Sequence, residues 1–157
     1  MAAPLAEQRG ARLLVAGFGC GLIPRAPGTA ASAAATIAAA GLIGLSPWLL
    51  AAAAIAALGA GLWAIPRAAP TGDPGWVVID EIAGQWVALL GLSQPSLPGL
   101  LAGFVLFRAL DILKPGPVGA VQRFPGALGV LADDVLAGGI AAILLLLGRL
   151  ALRRFSA

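Results

Sequence analysis

The chain has 157 residues, 60% of them hydrophobic and 11% charged, with a mean hydropathy of +0.97. Soluble domains carry roughly 25% charged residues, so a soluble globular class is excluded and one membrane-embedded domain over residues 1–157 is expected. Ten basic residues against seven acidic ones give a net charge of +3, with Arg149, Arg153 and Arg154 grouped near the C-terminus; that is membrane-flanking charge, and no nucleic-acid partner is expected.

Residues 1–12 read as a polar, interfacial lead-in without a cleavable signal pattern, so the N-terminus is expected to be retained. From Leu13 to Thr29, the run of Gly17, Gly19, Gly21, Pro24, Pro27 and Gly28 forbids a continuous helix. The stretch is too apolar for a solvated loop and too broken to span, which fits a re-entrant or membrane-surface loop. Ala30–Leu45 is helical by propensity but short for a full span. Ser46-Pro47 breaks it, and Pro47 suits the first turn of the next helix, Trp48 to Ile65. Pro66 to Gly75 is a polar connection in which Asp73, between Gly72 and Pro74, reads as a turn residue. Trp76–Leu92, Gly99–Leu113 and Val130–Leu152 are the remaining hydrophobic segments, with a Gly- and Pro-rich link from Lys114 to Gly129. The fold class is therefore all-α, a membrane bundle of about four to five hydrophobic helices.

The loops at 13–29, 66–75 and 114–130 fall on one face and carry Arg25, Arg67, Lys114 and Arg123. By the positive-inside tendency that face is cytoplasmic. Five crossings would leave Arg149, Arg153 and Arg154 on the other side, in conflict with that tendency; the segments at 30–45 and 99–113 are also compatible with short or interfacial helices, so the number of crossings stays open.

Four of the seven acids form two adjacent pairs, Asp80-Glu81 and Asp133-Asp134, set directly against apolar runs. A charge near mid-bilayer costs on the order of 3 kcal/mol, so such residues usually face a polar cavity, a partner charge or a metal. On a helix Asp80 and Glu81 project about 100° apart and can border one cavity, with Gln85 one turn beyond Glu81. Asp133 and Asp134 stand where a helix is expected to begin. One Asp would serve as an N-cap, whereas two repel unless a cation or basic partner relieves them. Arg108, Asp111 and Lys114 follow at i,i+3 spacing, either as a snorkelling helix end with an internal salt bridge or as a cationic grip on phosphate. The backbone amides of Gly17–Thr29 are suited to phosphate oxygens, and Thr29 to either capping or phosphate contact.

With no His, a His-nucleophile lipid phosphatase is excluded. One Cys excludes an internal disulfide; Cys20 and Arg25 have four residues between them instead of five, so Cys20 reads as a packing residue. The Asp-x-Asp nucleophile of haloacid-dehalogenase phosphatases and the longer pattern of CDP-alcohol phospholipid synthases are absent. What remains is metal-assisted chemistry on carboxylates, for which oxygen-only sites favour Mg²⁺ or Mn²⁺.

Four ordered stretches, Gly17-Phe-Gly-x-Gly-Leu-x-Pro-x-Ala-Pro-Gly-Thr29, Asp73-Pro…Val78-Ile-Asp-Glu81-x-x-Gly-Gln-Trp86, Phe107-Arg-x-x-Asp-Ile-x-Lys-Pro-x-Pro117 and Gly126…Gly129-Val-x-x-Asp-Asp-x-x-Ala-Gly138, resemble the phosphatidylglycerophosphatase A family. The resemblance covers about residues 13–140. It implies a bacterial, membrane-bound, Mg²⁺-dependent enzyme that hydrolyses phosphatidylglycerophosphate to phosphatidylglycerol and phosphate, the last step of phosphatidylglycerol synthesis. The expected placement is the inner membrane, multi-pass, with the site facing the cytoplasm.

The expected roles follow from residue chemistry. Asp80, Glu81, Asp133 and Asp134 hold one or two Mg²⁺ ions, and one of them or Asp111 accepts a proton from water. Arg108 and Lys114 hold the phosphate, completed by amides at Gly19, Gly28 and Thr29. Membrane lipids are the surrounding partners, and a homo-oligomer is compatible with the Gly- and Ala-rich helix faces. The competing class is a small carrier or channel component whose carboxylates bind protons or cations; it leaves Arg108 and Lys114 beside Asp111 unexplained.

Overall fold

The computed structural model describes residues 5–69 and 74–155, and among them every regular element is helical. Asp73 lies outside the described residues. Chain order is α1 (Leu5–Val15), a 3₁₀ segment (Gly17–Leu22), α2 (Pro27–Leu45), α3 (Pro47–Ala68), α4 (Ile79–Leu89), α5 (Leu97–Leu113), α6 (Pro117–Val121) and α7 (Ala127–Phe155).

The first helix occupies the stretch expected to be a lead-in. Its Ala11 and Val15, one turn apart, are fully buried against Ala64 and Ile65 of α3 and against Val77 and Ile79, while Arg9 and Arg12 stay exposed. Glu7 pairs with Arg67 at 2.7 Å, and the Val78 amide donates to the Val15 carbonyl at 2.7 Å, tying α1 to α3 and to the start of α4. The glycine- and proline-broken stretch does interrupt the helix: Phe18 (φ 53°) and Gly19 (φ 109°) depart from helical geometry inside the 3₁₀ segment.

Proline starts α2, α3 and α5 in their first turns, where its missing N–H costs nothing. Ser46 caps α3 by accepting from the Trp48 amide, and Ser96 caps α5 through the Gly99 amide, both at 3.3 Å. With Pro27 at its start, α2 gains a turn over the expected Ala30–Leu45 and reaches 19 residues, about 28 Å. Among the described residues three helices are long and apolar enough to cross a membrane: Pro27–Leu45, Pro47–Ala68 and Ala127–Arg154. The chain is a membrane protein, and its exposed Ile37, Trp48, Ile55, Leu97 and Leu152 are apolar side chains suited to lipid.

Eleven-residue α4, about 16 Å long, is the central element. It crosses α7 at glycine: a Cβ on Gly138 would lie 2.3 Å from the Gly84 carbonyl oxygen, and one on Gly84 would lie 2.7 Å from that of Asp134. No larger residue fits at this backbone approach, as at small-residue crossings in membrane bundles generally. Trp86 Nε1 donates to the Ala35 carbonyl at 2.9 Å and ties α4 to α2.

The bundle has two distinct ends. At one, Gly44 of α2 approaches Pro95, and Arg149 of α7 donates to the Gly91 carbonyl at 2.6 Å and to Ser93 Oγ at 2.5 Å. The starts of α2, α4 and α7 and the end of α5 lie at the other. The C-terminal arginines therefore stand at the end opposite Arg108 and Lys114, as an odd number of crossings would leave them.

Candidate active site

Residues from α2, α4, α5 and α7 meet at the second of these ends, opposite Arg149. Asp80 and Glu81 sit in the first turn of α4, where the helix dipole favours negative charge. Asp134 comes from α7. That helix starts at Ala127, so Asp133 and Asp134 are its seventh and eighth residues. They are interior to the helix, and the N-cap role open to them in sequence does not apply.

One ligand oxygen from each of Asp80, Glu81 and Asp134 lies within 4.8 Å of the other two. Asp80 and Asp134 are buried. Glu81 Oε2 and Asp134 Oδ2 are inaccessible and have no protein hydrogen-bond partner. Three convergent carboxylates, those of Glu81 and Asp134 with orphaned oxygens, and no nitrogen or sulfur donor among them, fit a hard divalent cation such as Mg²⁺.

Adjacent on the helix, Asp133 points elsewhere: its Oδ2 accepts from Lys114 Nζ, and it lies outside the three-carboxylate group. Lys114 reaches it because α5 stops at Leu113 and Lys114 adopts a left-handed conformation (φ 44°) as the cap. Burial alone would lower the Lys114 pKa. The hydrogen bond and charge of Asp133, supported by Asp111 and Asp134, outweigh it and hold the ammonium above the ordinary lysine value. Arg108 donates through Nη1 to Asp111 Oδ2, and its buried Nε has no partner. Asp111, Glu81 and Asp133 act electrostatically on Asp134, and Asp80 stands beside it in the three-carboxylate group. Five carboxylates thus face two cations, a formal excess of three negative charges in a largely buried setting. Excess charge of that kind calls for protons or bound cations.

The phosphate-contact glycines separate. Gly28 packs so tightly on Glu81 that a Cβ there would lie 2.1 Å from Oε1. Thr29 follows it inside the first turn of α2; Ala26 is the cap, so Thr29 does not cap this helix. Gly19 instead borders a cleft with Arg9, Arg12 and Trp76, where Arg12 lies 5.5 Å from the Trp76 ring. Cys20 is a partly buried free thiol.

Gln85 was legible as a neighbour of Glu81 and as part of the Gly-Gln-Trp86 stretch, without an assigned role. It is fully buried, and neither end of its amide has a protein partner. A buried amide in that condition costs roughly 1–3 kcal/mol, which marks it as part of the polar interior. Its sequence signals were the i+4 spacing from Glu81 and its place in the Gly-Gln-Trp86 stretch.

Comparison with known proteins adds to this geometry. The profile of the family described as phosphatidylglycerophosphatase A matches residues 13–149. A protein of Bacteroides thetaiotaomicron named putative phosphatidylinositol-3-phosphatase is 38% identical over 146 residues, covering 87% of this chain and 92% of its own. The phosphatidylglycerophosphatase A of Escherichia coli K12 is 37% identical over 135 residues (83% of this chain, 78% of its own). That of Haemophilus influenzae is 38% identical over 136 residues, covering 83% of each chain. No solved structure matches the chain.

Proposed function

The chain belongs to the phosphatidylglycerophosphatase A family and is a phosphatase, and we propose that it hydrolyses phosphatidylglycerophosphate to phosphatidylglycerol and inorganic phosphate with Mg²⁺. The observation that carries this reading is the convergence of Asp80, Glu81 and Asp134 beside two cations, Arg108 and Lys114. A carrier of protons or cations would need the acids but not the paired cations.

In the proposed reaction Asp80, Glu81 and Asp134 hold Mg²⁺, which when bound neutralises phosphate charge and acidifies water. Arg108 turns its fork from Asp111 to two phosphate oxygens, and Lys114 adds a point charge at the same group. Asp111, relieved of its partner, takes the proton of the attacking water. Oxygen–phosphorus bond formation is matched by cleavage of the bond to the glycerol oxygen, which leaves with the proton that Asp111 took from the water. The first-turn amides of α2 at Gly28 and Thr29 face the same end and suit a phosphate oxygen. The reaction then lies at the cytoplasmic face of the inner membrane, in the final step of phosphatidylglycerol formation. Seven of the ten basic residues, from Arg9 to Arg123, precede or flank the site and accord with that side.

Phosphate release from phosphatidylglycerophosphate by purified protein in detergent, with Mg²⁺ or with EDTA, tests the reading. Asp80→Asn and Asp134→Asn proteins run alongside, and phosphatidylinositol 3-phosphate serves as a second head group. Metal-dependent release lost in both variants is expected. No release from folded wild-type protein would overturn the assignment, and preference for the inositol lipid would change the substrate.

A further inference from the structure

Beneath the site, α2 and α5 leave an apolar groove between them. It holds about 370 Å³ and is bounded by Ala33, Thr36, Ala40, Leu97, Leu101 and Phe104. Thr36 contributes no free hydroxyl, because its Oγ1 donates to the Ser32 carbonyl at 2.8 Å. The two helices run in opposite directions, since α2 ends near Pro95, just before α5 starts. In the register of such a pair, Ala33 matched with Phe104 puts Ala40 opposite Leu97, and all four line the groove.

Extended by one turn, the same register puts Thr29 level with Arg108. The groove therefore opens about 6 Å below the α2 start and the Arg108 fork, and runs on for about 10 Å towards the other end of the bundle. Its polarity changes along that axis: cationic and amide groups above, aliphatic and aromatic side chains below. That is the polarity of a phospholipid lying with its phosphate in the site.

On this basis, and resting on the lipid phosphatase reading above, we infer that the α2–α5 groove is the subsite for an acyl chain of the substrate. Ala33 and Phe104 flank the ester end of the chain, and Ala40 and Leu97 its distal methylenes. The small residues Ala33 and Ala40 leave the space, and Phe104 and Leu101 supply one wall. The protein then selects a lipid phosphate over a water-soluble glycerol phosphate by contact with the chain as well as with the phosphate.

Two variants test this with two substrates, phosphatidylglycerophosphate bearing long chains and its dihexanoyl counterpart, in one detergent. A hexanoyl chain is shorter than the distance from Ala33 to Ala40. Ala40→Trp, filling the distal groove, is expected to lower kcat/KM for the long-chain lipid about tenfold or more while leaving the dihexanoyl lipid within about twofold. Ala33→Trp, at the ester end, is expected to lower both. Ile55→Trp, on an exposed face of α3 outside the groove, serves as the control and should leave the ratio unchanged. Equal losses on both lipids in Ala40→Trp, or no loss on either, would overturn the subsite. Equal losses accompanied by a smaller oligomer on size exclusion would assign the groove to a second copy of the chain. Failure of wild-type protein to turn over either lipid would overturn the phosphatase reading itself, which separates the two.

Discussion

Replacing Gly28 by Ala should separate catalysis from folding. The added Cβ would lie 2.1 Å from Glu81 Oε1, against the 3.0 Å below which such contacts essentially do not occur. The oxygen must therefore retreat by about 0.9 Å. Its movement displaces the Glu81 carboxylate within the group that it forms with Asp80 and Asp134. A misplacement of about 1 Å in a catalytic array can cost about 100-fold in rate, or about 2.7 kcal/mol of transition-state stabilisation.

Stability should barely respond. Gly28 lies inside the first turn of α2, where Ala is preferred over Gly by up to about 1 kcal/mol. Moving the end of the Glu81 side chain off its rotamer costs about 0.5–1.5 kcal/mol, so the two nearly cancel. The assay is kcat/KM for phosphate release beside thermal unfolding followed by the fluorescence of the four tryptophans in detergent. Expected is a loss near 100-fold with Tm displaced by no more than about 4 °C. Wild-type activity would refute the placement of Glu81 in the site, and a parallel collapse of Tm and rate would refute the local character of the clash.

Gly138→Ala should destabilise the protein by about 3 kcal/mol, because its Cβ meets backbone that cannot move aside, whereas Gly139→Ala, with nothing within 4 Å, should be neutral or stabilising by up to about 1 kcal/mol. Equal Tm shifts for the two would contradict the crossing. Gln85→Leu removes a buried, unpartnered amide at nearly constant volume and should hold or raise Tm while lowering kcat/KM about tenfold or more; unchanged activity would remove Gln85 from the polar interior of the site. Arg149→Met should lower Tm by several degrees through loss of its bonds to Gly91 and Ser93, yet leave KM unchanged, since residue 149 lies about 22 Å along α7 from Asp134. With Cys20 replaced by Ala, Arg123→Cys should react with an impermeant maleimide only in inverted vesicles, and Arg154→Cys only in intact spheroplasts; the reverse pattern would invert the proposed orientation.

Much of the site was legible because an apolar chain advertises its charges. Asp80, Glu81, Asp111, Asp133 and Asp134 stand out against sequence that can pay no compensation for them. The i,i+3 spacing of Arg108, Asp111 and Lys114 anticipated the Arg108–Asp111 pair. Less legible was the start of α7, which draws in Ala127 to Ala132 ahead of the acids and carries Asp133 and Asp134 into the helix interior. Nor did sequence indicate that Lys114 would leave the helix in a left-handed turn to meet Asp133. The first helix was hidden because its buried face uses alanine and valine, Ala11 and Val15, beside exposed arginines.

The different placement of two adjacent aspartates has a physical cause that local pattern does not contain. Successive helix residues project about 100° apart, so Asp133 and Asp134 cannot share one direction. Which of them meets α4 depends on the rotation of α7 at the crossing. That rotation is limited by the close approach of Gly138 to the Gly84 carbonyl and of Gly84 to the Asp134 carbonyl. With the backbones in contact there, Asp134 falls beside Asp80 and Glu81, and Asp133 is left to Lys114. The glycines thus do more than permit packing: by fixing the crossing they divide the four paired acids into a convergent group of three and a partner for the lysine.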